Sequence, residues 1–262
     1  MAERPLRWVM GSKDRVTVVS LGYRCDVAYH IRAHFGVEAA MPFDWLVTPL
    51  ASIPLMLEDG FRHMADPEWL EPIETTRRGR SLVCMTNRRY QVLMPHEFPV
   101  AADQSLAPDW RQHVPEVAAK WAHLSDRWRR TLDSGAAIVF VRRGGHLSLR
   151  HLLEPTAEAS GGNGSGVDPA ANDVVLETQR AEAALTPTPP EAYLDLLRAL
   201  RGGAPSCRLL VVDPGCDLEG TDILTCKVGL PAPADWPNSG DYWKGPPQAW
   251  RRALDLIGAS GR

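Results

Sequence analysis

The sequence predicts an α/β protein: a layered sheet, mostly parallel with one hairpin, and helices on both faces. Three observations predict it. Apolar, β-branched runs of strand length recur along the chain. Segments with helical apolar spacing separate them. Two of the runs, AAIVFVRR (136–143) and CRLLVVDPG (207–215), are almost continuously apolar, the pattern of strands covered on both faces.

The first strand is expected in RVTVVSLG (15–22), followed by a helix in CDVAYHIRAHFG, where Val27, Ile31 and Phe35 recur at i, i+4 and i+8. Pro42, Pro49 and Pro54 divide the next stretch, MPFDWLVTPLASIPLMLEDG, into a loop and one or two short helices. SLVCMTNRRYQVLMPHEF (81–98) reads as two strands around a turn at Asn87 and Arg88, a hairpin whose second arm ends at Pro95 and delivers His96. A helix follows from Pro115, with Val117, Trp121, Leu124, Trp128 and Leu132 on one face and Gly135 ending it. Residues 155–190 are rich in Gly, Ser, Pro, Ala and Thr, including SGGNGSG and TPTPP, and read as a flexible insertion. EAYLDLLRALRGG then reads as a helix, CRLLVVDPG as a buried strand, DILTCKVGL (222–230) as a further strand and PPQAWRRALDLIG as a closing helix. Strand runs on both sides of the insertion look like members of one sheet, so the expectation is a single α/β domain over residues 1–262.

Composition narrows the function classes. The chain is 44% hydrophobic and 23% charged, as ordinary globular proteins are. With Lys+Arg at 29 against Asp+Glu at 32, it lacks the global positive field of a non-specific nucleic-acid binder. No apolar run approaches the roughly 20 residues of a membrane span, and MAERPLRWVMGSKDR is too charged for a signal peptide. A cytoplasmic protein with no nucleic-acid or membrane partner is therefore expected; oligomeric state is left open. The five cysteines show no CxxC spacing and there is no His pair at metal spacing, so neither a disulfide framework, a metal site nor a cofactor is implied.

The densest chemical signal is VVSLGYRCDVAYHIR: a strand, a turn containing Gly22 and Tyr23, and Cys25 opening a helix. Unsatisfied N–H groups and the dipole at a helix N-terminus favour a thiolate, which makes Cys25 a candidate nucleophile; the alternative is a cysteine packed against the sheet. A nucleophilic thiol needs a base. His30 and His34 lie about 140° and about 180° round the helix axis from Cys25 and do not face it. His96 ends a strand, where side chains project into crevices, and is the better candidate; its plain alternative is a bond to a loop carbonyl. Asp44, between Phe43 and Trp45, has two readings, orienting His96 as the third member of a triad or capping the short helix that follows. Asp213, ending the LLVVD strand, sits at the ligand edge of a parallel sheet or simply makes a turn before Pro-Gly, with Asp241 a second choice. Arg142, leaving a buried strand, is a candidate for holding a carboxylate or phosphate group. SGGNGSG matches no phosphate loop. Cys84, Cys207 and Cys226 lie in apolar runs and read as core, and Cys216 has no visible partner.

The segments VVSLGYRCDVAYHIR, MPFDWLVTP and RYQVLMPHEF, in that order, resemble a bacterial family described as papain-like cysteine peptidases of unknown function. KWAHLSDRWRRTL, AAIVFVRR and LLVVD are similar to it as well, so the resemblance covers most of the chain apart from 155–190. It implies Cys25 as nucleophile, His96 as general base and Asp44 as orienting carboxylate. Glu97 stands where that family often shows Asp. The resemblance also implies acyl-transfer chemistry on a small-molecule or peptide substrate, by hydrolysis or by transfer to an amine. Backbone N–H groups from Gly22 through Tyr23 to Asp26 would receive the oxyanion, and Trp45 would wall the pocket. The rival function is a non-catalytic module that binds a sugar- or nucleotide-linked ligand through Asp213, Arg142, Trp45, Trp236 and Trp243.

Overall fold

The computed structural model describes residues 16–77, 80–103, 105–144, 188–228 and 246–258. In chain order its elements are β1 (Val16–Ser20), α1 (Cys25–Phe35), α2 (Ser52–Glu58), β2 (Leu70–Arg77), β3 (Arg80–Asn87) and β4 (Val92–Leu93). A 3-10 turn (Trp110–His113) then leads into α3 (Val114–Leu132), followed by β5 (Ala137–Arg143), α4 (Pro190–Gly203), β6 (Arg208–Val212), β7 (Ile223–Cys226) and α5 (Pro247–Gly258). Four strands form a parallel sheet in the order β1-β5-β6-β7, and β2-β3-β4 form a small antiparallel sheet. The chain is thus of the α/β class.

Alternation along the parallel strands assigns two apolar faces. Val18, Val139, Val141, Leu210 and Val212 pack with Val27 and Ile31 of α1 and Trp250 and Leu254 of α5. Val19, Leu21, Phe140, Leu209 and Val211 turn the other way, onto Trp121 and Trp128 of α3 and Tyr193 and Leu197 of α4. Both faces being covered, residues 138–141 of β5 and 209–212 of β6 are continuously apolar, as their sequences indicate. The helical spacing of α1 and α3 matches the buried faces: Val27 and Ile31 in one, Val117, Trp121, Leu124 and Trp128 in the other. Gly36 closes α1 in the left-handed conformation, its N–H bonded to Arg32 O.

The hairpin differs from expectation. The turn after Asn87 is present, but β4 is only two residues long, pairing Val92 with Asn87 and Leu93 with Thr86. The longer hairpin is β2 with β3, eight residue pairs from Leu70↔Asn87 to Arg77↔Arg80. In β2 Glu71, Pro72 and Glu74 are exposed, so LEPIETTR shows no apolar alternation that would mark a strand. Residues 155–187 of the expected insertion, together with Trp236, Asp241 and Trp243, lie outside the described residues. Among the described residues, no helix is long and apolar enough to cross a membrane.

Candidate active site

The carboxyl edge of the parallel sheet carries the turn that leads into α1. β1 continues past Ser20, with Leu21 N–H donating to Val141 O. The Ser20 hydroxyl then accepts the Gly22 N–H at 3.0 Å, tightening the turn. Gly22 takes φ 70, and a Cβ there would lie 2.8 Å from Phe43 O, so the position excludes a side chain twice over. Tyr23 follows at φ 95, an uncommon conformation for a bulky residue, and its side chain is buried. Arg24 is the extended N-cap, and Cys25 is the first residue of α1, with a half-buried thiol. None of the five cysteines is in a disulfide, and burial pushes the thiols of Cys207, Cys216 and Cys226 up, away from reactivity at neutral pH.

Two consecutive residues of β5 grip this turn from opposite faces of the sheet. Arg143 donates from Nη1 to Asp26 Oδ2 at 2.9 Å, while Asp26 Oδ1 accepts the Val27 N–H at 3.0 Å. Asp26 is completely buried. Arg142 is completely buried on the other face, where Nη1 donates to Leu21 O at 3.0 Å and Nη2 to Thr48 O at 2.9 Å. Its Nε has no hydrogen-bond partner, and among the described residues no carboxylate pairs with it. Burial pushes the guanidinium down to about 10, so it stays a cation at neutral pH. Arg142, read from the sequence as a candidate for holding a carboxylate or phosphate group, is bonded among the described residues to two backbone carbonyls and is 0% exposed.

The loop 41–48 joins this turn to β4. Thr48 N–H donates to Tyr23 O at 3.3 Å, and Val47 exchanges both backbone hydrogen bonds with Leu93 at 3.1 Å. Asp44 closes its own turn: Oδ2 accepts the Met41 N–H at 2.9 Å, and its N–H returns to Met41 O at 3.2 Å. The same Oδ2 accepts from Arg32 Nη2 at 2.9 Å. Burial raises the Asp44 carboxyl above its ordinary value, opposed by the Met41 N–H and by Arg32. Asp44 is neither hydrogen-bonded to His96 nor the cap of α2, whose N-cap is Ala51. Its reach toward His96 is indirect. The Arg32 guanidinium lies 5.3 Å from the centre of the half-buried Trp45 ring, and the exposed His96 ring meets Trp45 edge-on at 6.2 Å. Next to His96, the buried Glu97 side chain accepts from Lys120 Nζ of α3 at 2.9 Å, which ties the end of β4 to that helix.

The turn around Cys25, the Asp44–Trp45 loop and the His96 segment are thus joined by direct contacts. Asp213 stands further along the same edge at φ 50, where its N–H donates to Cys226 O and its Oδ1 accepts the Val228 N–H at 2.9 Å, linking the ends of β6 and β7. These bonds run to the end of β7 rather than across the turn at Pro214 and Gly215. His30 stacks on Trp250 of α5 at 5.3 Å. Among the described residues, no three His, Cys, Asp or Glu side chains are grouped to hold a metal ion. Sequence reasoning missed Arg32, Asp26, Arg143 and Thr48. A signal existed for one of them: two successive arginines on a buried strand must place one charge on each face, and each needs a partner.

Fold and edge together define an α/β protein whose first strand-to-helix turn presents a cysteine on the ligand side of a parallel sheet. Residues 16–154, more than half of the chain, match the model of the family described as "Putative papain-like cysteine peptidase", and the protein belongs to that family. It matches no curated protein and no solved structure.

Proposed function

We propose that the protein is a cysteine-dependent acyl-transfer enzyme, with Cys25 as nucleophile and His96 as general base and acid. The observation that carries this reading is the position of Cys25 at the first residue of α1, at the carboxyl edge of the parallel sheet. The Cys25 sulfur attacks a substrate carbonyl, its proton passing to His96, and first-turn amides of α1 other than Val27, whose N–H is bonded to Asp26, receive the developing oxyanion. The Gly22 N–H is not among these donors, because Ser20 holds it. Collapse of the tetrahedral intermediate expels the leaving amine or alcohol with the proton from His96 and leaves a thioester. Water or an acceptor amine then releases the acyl group and restores the thiol. Asp44 acts at one remove, holding Arg32 against Trp45, on which His96 rests.

The test is intact-mass measurement of the protein and of Cys25→Ala after exposure to a panel of activated acyl donors, with site-resolved alkylation alongside. An adduct present in the wild type and absent in the variant is expected. If Cys25 alkylates no faster than the other four cysteines and no donor leaves an adduct, the enzyme reading is refuted.

A further inference from the structure

We propose that Glu97, tied to Lys120 of α3, is a positioning residue that fixes the place of the His96 ring against Trp45. The proposal rests on the reading of His96 as general base and adds what holds that base in place. The Glu97 side chain is 2% exposed while His96 is exposed, so consecutive residues send a carboxylate inward and an imidazole outward. Glu97 Oε1 accepts from Lys120 Nζ at 2.9 Å, and Oε2 is buried with no hydrogen-bond partner among the described residues. A buried carboxylate with one oxygen unsatisfied is a costly way to close a turn, and an apolar side chain would fill the space at lower cost. What the ion pair supplies instead is one defined geometry, where an apolar contact would tolerate slippage.

The residues around His96 support the same role. Before it, the Met94 N–H donates to Met85 O at 2.8 Å and Pro95 has its own φ fixed by its ring. After it, the buried Phe98 meets Trp110 edge-on at 5.8 Å. Glu97 is the link next to His96 in the chain, and it reaches α3. That helix also holds the other half of the contact. Lys120 and Arg127 are seven residues apart on α3, two turns along and about 20° round the axis, and so share a face. Arg127 Nη1 donates to Ala40 O at 2.6 Å, just before the turn from Met41 that Asp44 closes and Trp45 follows. One face of α3 therefore anchors both segments whose rings meet at 6.2 Å, and the spacing of two cations along it sets how those segments lie against each other.

The experiment records the His96 ring protons by NMR of the full chain with labelled histidine, in the wild type, Lys120→Met, Lys120→Arg and Glu97→Leu, with Cys25 alkylation by iodoacetamide at about pH 7 measured alongside. Protons held against an indole are displaced by its ring current, and Trp45→Leu supplies the undisplaced position. Lys120→Met is expected to lose at least half of the displacement and Lys120→Arg, which keeps a charged donor, to retain most of it. Glu97→Leu removes the carboxylate without stranding a charge, so it folds even where Lys120→Met does not, and it is expected to lose the displacement as well. A merely structural carboxylate would let Glu97→Leu keep it. Full displacement in Lys120→Met or Glu97→Leu, equal loss in Lys120→Arg, or no displacement in the wild type overturns the proposal and leaves His96 as base. Where the displacement is lost, Cys25 alkylation is expected to slow at least about threefold, because a misplaced base no longer favours the thiolate. Loss of displacement with alkylation at the wild-type rate overturns the reading of His96 as base, and the proposal with it.

Discussion

Replacing Arg143 by Met leaves the Asp26 carboxylate fully buried with the Val27 N–H as its one remaining described partner. Removing one member of a buried pair costs about 3–5 kcal/mol, because the other charge is then stranded away from water. Asp26 has 0% side-chain exposure and Arg143 11%, so the stranded carboxylate is the worse case. Asp26→Asn, which leaves an arginine able to reach solvent and keeps an oxygen for Val27, costs less. The double variant removes both charges and recovers most of the single loss, ending within ~2 kcal/mol of the wild type. Urea unfolding followed by tryptophan fluorescence reads all four corners of this cycle. At an m-value of about 2–3 kcal/mol per molar, Arg143→Met lowers the midpoint by roughly 1.5 M. A loss below ~1 kcal/mol, the size expected of an exposed pair, refutes the reasoning. So does a double variant no more stable than Arg143→Met.

Gly22→Ala puts a Cβ 2.8 Å from Phe43 O at φ 70, so it is expected to cost about 2 kcal/mol or more and to slow Cys25 alkylation in the protein that still folds; an unchanged thermal midpoint counts against the turn geometry. Asp44 gives a pH signature. Burial raises its folded-state carboxyl above the ordinary value of 3.8, so its stabilising contribution is fully present below that value and is lost as pH rises through the folded value. The stability difference between wild type and Asp44→Asn should therefore fall with rising pH over that window in urea midpoints, and a difference that grows instead contradicts the burial argument.

The layered sheet was legible where both faces are covered. Val139, Phe140, Val141, Leu209, Leu210 and Val211 leave no polar position to confuse the pattern, and α3 shows its buried stripe in plain spacing. β2 was not legible, because Glu71, Pro72 and Glu74 are exposed and break the apolar pattern of a strand that pairs along its length with β3. The same contrast divides the site. Cys25 is marked by local signals, a strand, a glycine turn and a helix start. Asp44 is marked only as a carboxylate among aromatics, and its partner Arg32 lies 12 residues away on another element, where spacing says nothing. Arg142 stands out in the sequence as a charge at the end of a buried strand. Its carbonyl partners are 121 and 94 residues distant, and only the fold brings them together.

Those long-range bonds explain how the turn persists. A bulky residue at positive φ costs on the order of 1–3 kcal/mol and survives only where its surroundings over-determine it. Tyr23 is held on every side: Gly22 before it is fixed by Ser20, its own carbonyl accepts from Thr48, Leu21 is clamped by Arg142, and Asp26 is clamped by Arg143. Because successive strand residues point to opposite faces, one dipeptide at the end of β5 reaches both flanks of the cysteine, and no other spacing of two arginines on that strand would do so from adjacent positions. A turn that served only to connect β1 to α1 would need none of this. The strain and the two buried arginines are concentrated on the turn 21–26, which leads into the helix that Cys25 opens.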